Sequence, residues 1–331
     1  DFNGPEWRLE ALHGEGRTAR GVLAHRVQLD GKVEVDDTTA TVRLDAQGDG
    51  DGLRIEQLDF TTHEQPLTRA NGRLPVVIAT TPNFQVRLND RAPIAFDAAI
   101  APESPLWALI AELTGINAAG ASAQANLRGS VNDPQGELKL SAPQIRAESG
   151  PMKGKLPQLS ALELAARGDR GGIAIEKFDL QIEGHPLTGT ARLPMNDDAW
   201  AQLRANPREF ALQRMDARLE LIDAELTTLM RGIERAPLTQ GRVTVRARLA
   251  AGQVDGTIEF AGVATKPLPA FGVIQGMDGR LSLHDRVAKI ESFSALLGGE
   301  PLRAEGTVEL SPENTLRLNL DVAGRNLPLV R

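Results

Sequence analysis

The 331-residue chain has no cysteine and no tyrosine. Disulfides and thiolate metal sites are therefore excluded, although this absence does not fix a compartment. Aromatic residues make up only 4 %, so large anchors for stacking on sugars are scarce. No apolar run approaches the roughly 20 residues a membrane helix needs, and no signal peptide is visible. The net charge is −7, which argues against general nucleic-acid binding, where clustered Lys and Arg must neutralise phosphates. No phosphate-cradling glycine pattern leads a strand into a helix. What is present is a hydrophobic content of 41 %, enough for a buried face.

That apolar content is organised by one stretch that occurs three times. The copies are Leu53–Phe60 followed by Pro66-Leu67-Thr68, Ile173–Leu180 followed by Pro186-Leu187-Thr188-Gly189, and Ile290–Phe293 followed by Pro301-Leu302. In each copy Glu and Pro are ten residues apart: Glu56 to Pro66, Glu176 to Pro186, Glu291 to Pro301. An internal repeat at this spacing implies stacked or chained units. Within a copy the alternation slips by one residue, since Leu53 and Ile55 are odd while Leu58 and Phe60 are even. The slip recurs at Ile175/Phe178 and Ile290/Phe293. Such a slip turns the apolar set outward unless a bulge or bend absorbs it. Each copy is therefore expected to be a strand with a built-in bend, a turn and a second strand.

Alternating runs fill most of the remaining chain, among them Phe84/Val86/Leu88, Ile94/Phe96/Ala98/Ile100, Leu138/Leu140, Ile258/Phe260 and Leu316/Leu318/Leu320. This is the signal of half-buried strands, about twenty of them and each about five residues long. Helices are expected after Ser104-Pro105 up to Gly115, over 197–203, and over 223–231. The resulting repeat units are 1–103, 104–222 and 223–331, the outer two truncated. The chain opens in mid-pattern and stops without a terminal element, which suggests a segment of a longer protein. The fold class expected is mainly β: an elongated, curved, repetitive sheet of antiparallel strands with a few short helices. No long amphipathic helix exists to cover the apolar faces. A second sheet, closure or a ligand must do so. Strands of about five residues argue against a membrane barrel, which needs about 9–11.

Chemistry-bearing motifs are few. The five histidines show no i, i+4 pairing and no HExxH or triad signature. The acidic run Asp45–Gly52 with Glu56 superficially fits a calcium loop, but its flanks read as strands, so a solvated hairpin turn is favoured. Glu56, Glu176 and Glu291 are too dispersed for paired acid–base work. No catalytic residue, metal site or cofactor is expected.

The unit around Leu127–Leu140, the Pro186–Leu193 segment and the ending Val322–Arg331 resemble the repeats of the AsmA-like superfamily, closest to the large translocation-and-assembly-module (TamB-like) envelope proteins. The resemblance implies a β-groove in the periplasm of a diderm bacterium that conducts phospholipids, has no catalytic residues and is in some members linked to outer-membrane protein assembly. The family's membrane anchor and its C-terminal domain are not in this sequence. On this reading acyl chains would meet Ile55, Leu58, Phe60, Leu138, Leu140, Ile175, Phe178, Leu180, Ile258, Phe260, Ile290 and Phe293, with ordinary packing between sheets as the alternative for each. The rival function is a structural or protein-binding β-spacer of the envelope. A carbohydrate-acting β-protein is a weaker third, for want of aromatics.

Overall fold

The computed structural model describes residues 6–35, 38–62, 65–81, 83–118, 120–147, 157–196, 199, 210, 213–230, 237–269, 272–310 and 316–325. The protein is mainly β: 21 strands in a long antiparallel sheet, with two short helices among the described residues. It divides into two compact units, one of residues 1–153, 160–177 and 195–199, the other of 154–159, 178–194 and 200–331.

In the first unit β1 (Glu6–Ala19), β2 (Val22–Val35), β3 (Thr38–Asp49), β4 (Gly52–Thr62) and β5 (Gln65–Leu74) form a meander. β5 then pairs with β8 (Pro93–Ile100), β8 with β10 (Ser122–Ser130), and β10 with β11 (Pro134–Ala147). A hairpin of β6 (Val76–Ala79) and β7 (Gln85–Leu88) is looped out between β5 and β8. Helix α1 (Leu106–Thr114) and the short β9 (Ile116–Asn117) lie between β8 and β10. β12 (Leu159–Asp169) and β13 (Gly172–Ile182) follow, and β13 runs across the division between the units.

The second unit is a plain meander of β14 (His185–Pro194), β15 (Asp216–Glu225), β16 (Leu238–Ala250), β17 (Gln253–Thr265), β18 (Ile274–His284), β19 (Val287–Leu297), β20 (Glu300–Leu310) and β21 (Leu316–Gly324). Among the described residues β1 pairs only with β2 and β21 only with β20, so the sheet is open. Tight two-residue turns such as Arg20-Gly21 and Ala251-Gly252, with both φ positive, match the twist of the strands they join.

Most strands have 9–14 residues, about twice the length expected, because apolar alternation continues through Gly, Ala and Thr positions that carry little hydrophobic signal. The length argument against a barrel therefore falls away, and the open edges take its place. Helix α1 is where the sequence puts it: the Ser104 hydroxyl accepts the Leu106 N–H at 3.2 Å, and Gly115 closes it at φ 73°. The helix expected over 223–231 shrinks to α2 (Leu226–Leu229), because β15 continues through Glu225. The one expected over 197–203 lies almost wholly outside the described residues.

The parity slip is absorbed by a bulge in the first and third copies. Glu56 is skipped in the β3–β4 ladder, where Asp45 faces Gln57 and Ala46 faces Ile55. Glu291 is skipped likewise between Ile290 and Ser292. A third bulge, at Glu10, keeps Leu9 and Leu12 on one side of β1. Opposite the residue before each bulge stands a glycine: Gly31 faces Leu9, Gly72 faces Ile55, Gly306 faces Ile290. Gly72 and Gly306 have φ of 132° and 137°. A Cβ at Gly72 would lie 2.0 Å from the Ala95 carbonyl oxygen.

Gly72→Ala should therefore destabilise the first unit by about 2–4 kcal/mol, combining backbone strain with overpacking. Deleting Glu56 should cost less, because it removes the one residue the ladders skip and leaves Leu53, Ile55, Leu58 and Phe60 in unbroken alternation on one face, and Glu56→Ala should be nearly neutral. Urea unfolding followed by circular dichroism checks all three.

Candidate functional site: an uncovered apolar face

Reading across the ladders shows how the side chains are sorted. In the first unit Leu29 faces Leu44, Leu44 faces Leu58, Leu58 faces Ala70, Ala70 faces Ala98, Ala98 faces Ala125 and Ala125 faces Leu138. In the second, Leu221 faces Val245, Val245 faces Ile258, Ile258 faces Leu281, Leu281 faces Ile290, Ile290 faces Gly306 and Gly306 faces Leu320. Each unit thus has one face of aliphatic side chains, because side chains alternate across a strand and directly opposed residues share a side.

Most of the residues proposed from sequence lie on these two faces. Ile55, Leu58, Phe60, Leu138 and Leu140 share the apolar face of the first unit. Ile258, Phe260, Ile290 and Phe293 share that of the second. Phe260 and Phe293 are an aromatic pair with centroids 6.1 Å apart, and Gly279 between them leaves room for the Phe260 ring. Phe178 lies beside Gly189, whose opposite partner is Leu219, and Leu180 has the same parity on β13. Ile175 is half-buried in β13. Phe60 differs from the rest, being 3 % exposed within a core of Val33, Ala40, Val42 and Leu67, against which Leu106 of α1 packs. Beside it the buried hydroxyls of Thr68 and Ser104 bond to each other.

Cover is uneven, and in the first unit it reaches Val42, Ala46, Ala70 and Ala142 within the strands. In the second unit the buried set includes Ala224, Val243, Val263, Ala264, Ala295, Leu297 and Leu302 toward the α2 end of the strands, and Leu193 at the far end of β14. Away from it, Leu219, Val254, Leu318, Leu320 and Val322 remain exposed, Leu318 to 63 %. In the first unit Leu9, Leu12, Leu127 and Leu138 are exposed. Solvent-exposed leucines in rows on one face constitute a patch and not scattered surface residues.

The opposite face is charged and internally paired. Arg26 grips Asp45 through two bonds of 3.2 and 2.8 Å while Gln28 donates to the same carboxylate. Arg128 holds Asp97 at 2.8 Å to each oxygen, and Arg248 holds Asp216. These donors hold the Asp45 and Asp216 carboxyls below their ordinary range. All are exposed ion pairs screened by water and salt, so they define the wet face more than they stabilise it. A cleft of about 990 Å³ on this side of β16–β21 runs between Arg242, Glu259, Arg280, Glu305 and Asp321. Arg280 already pairs with Glu259 and Arg242 with Asp223.

The other sequence candidates have ordinary partners. Asp49 faces Gly52 across a two-residue turn and accepts the Asp51 N–H at 2.8 Å, so the acidic run is a hairpin. Glu56 accepts from Arg54 and Glu291 from Ser282. Among the described residues no group of three or more metal-ligating side chains is gathered, and no helix is long and apolar enough to cross a membrane. Sequence reasoning missed the glycines opposite the bulges, and the exposure of β7, whose alternation it read only as a strand.

Fold and face together define a mainly β protein built as an amphipathic antiparallel sheet. The family models, the curated proteins and the solved structures compared with the chain give no match.

On the charged face His284 donates through Nδ1 to, or shares a proton with, Asp255 at 2.6 Å, and this bond and the Asp255 and Asp285 charges raise its pKa above 6.5. A raised folded-state pKa adds stability that is complete below the unfolded value and lost as pH rises through the folded one. NMR titration should find the His284 midpoint above 6.5, moving back toward it in Asp255→Asn.

Proposed function

We propose that the chain is a segment of a periplasmic bridge-like protein. In this reading it carries phospholipids along its apolar face between the inner and outer membranes of a diderm bacterium and contributes to outer-membrane biogenesis. The observation that carries the reading is the uncovered aliphatic face backed by a charged one. The resemblance of the repeats to AsmA-like, TamB-like envelope proteins points the same way. An acyl chain laid on such a face gains about 0.8 kcal/mol per buried CH₂. Because that gain is non-directional, a chain can slide from one aliphatic residue to the next without a chemical step. The protein is then a carrier and not an enzyme, needs no cofactor, and has phospholipid acyl chains as its cargo. Outer-membrane assembly proteins are further candidate partners, and the inner-membrane anchor belongs to residues outside this sequence.

The rival reading, a structural or protein-binding spacer, would bury the apolar faces between two packed sheets. The exposure of Leu219, Val254, Leu318 and Val322 weighs against it. Native mass spectrometry of protein purified gently from bacterial envelopes separates the two. The wild type should carry phospholipid adducts. Leu219→Glu/Val254→Glu, at exposed positions that folding tolerates, should lose most of them, while Thr190→Glu on the charged face should keep them. A folded, lipid-free wild type would instead favour the spacer.

A further inference from the structure

On the apolar faces four large side chains lie over a glycine of the neighbouring strand. The ladders set His25 opposite Gly48, Leu127 opposite Gly136, Leu219 opposite Gly189 and Phe260 opposite Gly279. A Cβ built on Gly136 would meet Leu127 Cδ2 at 2.6 Å, and one built on Gly189 would meet Leu219 Cδ2 at 2.7 Å. At Gly48 it would meet three atoms of the His25 imidazole, and at Gly279 the Cζ of Phe260. The space above each glycine is thus filled from the strand beside it. The imidazole is held in this pose by its Nδ1, which donates to the Leu23 carbonyl at 3.1 Å. Strand β21 shows the effect on exposure. Its Leu320, opposite Gly306, is 40 % exposed, whereas Leu318, opposite Val308, is 63 % exposed.

A side chain that lies down in this way does two things. It fills the hollow a glycine leaves in the face of a sheet, and it does not rise above its neighbours. The face is therefore level at these places. Level ground matters to a hydrocarbon chain, because a gap of about 0.5–1 Å already forfeits a quarter to a half of each dispersion contact. One side chain standing up would hold the cargo off the residues around it. We propose that Gly136 and Gly189 are positioning residues of the carrier face: by letting Leu127 and Leu219 lie flat, they keep its floor level for an acyl chain. Gly48 and Gly279 do the same beneath a ring. This rests on the carrier reading and adds to it the residues that shape the floor.

Gly136→Ala is the informative change. Its Cβ meets the flexible end of Leu127, and the nearest backbone atom, the Asn126 carbonyl oxygen, is 3.1 Å away. The variant should unfold thermally close to the wild type while Leu127 is lifted from the sheet. A photo-crosslinking residue in place of Leu138, two residues along β11 and opposite Ala125, captures phospholipid beside the site in bacterial envelopes. Capture should fall roughly fourfold in Gly136→Ala, the loss of one methylene of burial. It should return in Gly136→Ala/Leu127→Ala, where the displaced side chain is gone. Equal capture by wild type and Gly136→Ala overturns the inference, as does a double variant that stays low. A Gly136→Ala chain that does not fold also overturns it, since the backbone alone would then require the glycine. Wild type that captures nothing and is lipid-free in native mass spectrometry overturns the carrier reading and this inference with it. Lipid-loaded wild type with an unaffected Gly136→Ala overturns the inference alone.

Discussion

Side-chain parity is the constraint on which the structure depends. A sheet that keeps one face aliphatic through strand after strand cannot tolerate a single uncorrected register error, because each error transposes the two faces downstream. The bulges at Glu10, Glu56 and Glu291 reset the parity. Glutamate suits the extra position because it is exposed there and finds polar company in Lys32, Arg54 or Ser282. The glycine across the ladder suits its position for the opposite reason, since a side chain would strike the neighbouring backbone.

Sorting of this kind leaves an unusual balance of stability. The charged face contributes little, its ion pairs being exposed and water-screened. The aliphatic face is only partly withdrawn from water. Backbone ladders and the small cores must therefore carry most of the fold: Val33, Val42, Phe60 and Leu67 under α1 in one unit, Val243, Val263, Leu297 and Leu302 in the other. Phe60 shows that the apolar face changes along a single strand, packed as core near one end and only half-buried at Leu53 and Ile55 toward the other.

Much of this was legible in the residues. Alternation identified the strands, and the slip at Ile55/Leu58 and Ile290/Phe293 announced the bulges before any ladder was seen. Ser104 and Gly115 marked both ends of α1. What alternation underestimates is length, since Gly31, Ala70 or Ala98 on the apolar face carry almost no hydrophobic signal yet continue the strand. It also cannot separate the two fates of an apolar residue. Phe60 and Leu318 look alike in a pattern, and only the loops and helices that come from elsewhere in the chain decide that one is covered and the other is not. The same blindness hid the looped-out β6–β7 hairpin, whose strands alternate like any others.

Nearly every ladder in the molecule joins strands that are neighbours in sequence, and the detours between β5 and β8 and between β8 and β10 are short. Contact order is consequently low for an all-β chain of this size, and little loop-closure entropy is paid before each pairing is rewarded. Such a chain can zip from its first hairpin onward while the rest is still being delivered. A defect in one hairpin should fray its immediate neighbours and leave distant ones intact, as expected of a nearest-neighbour array.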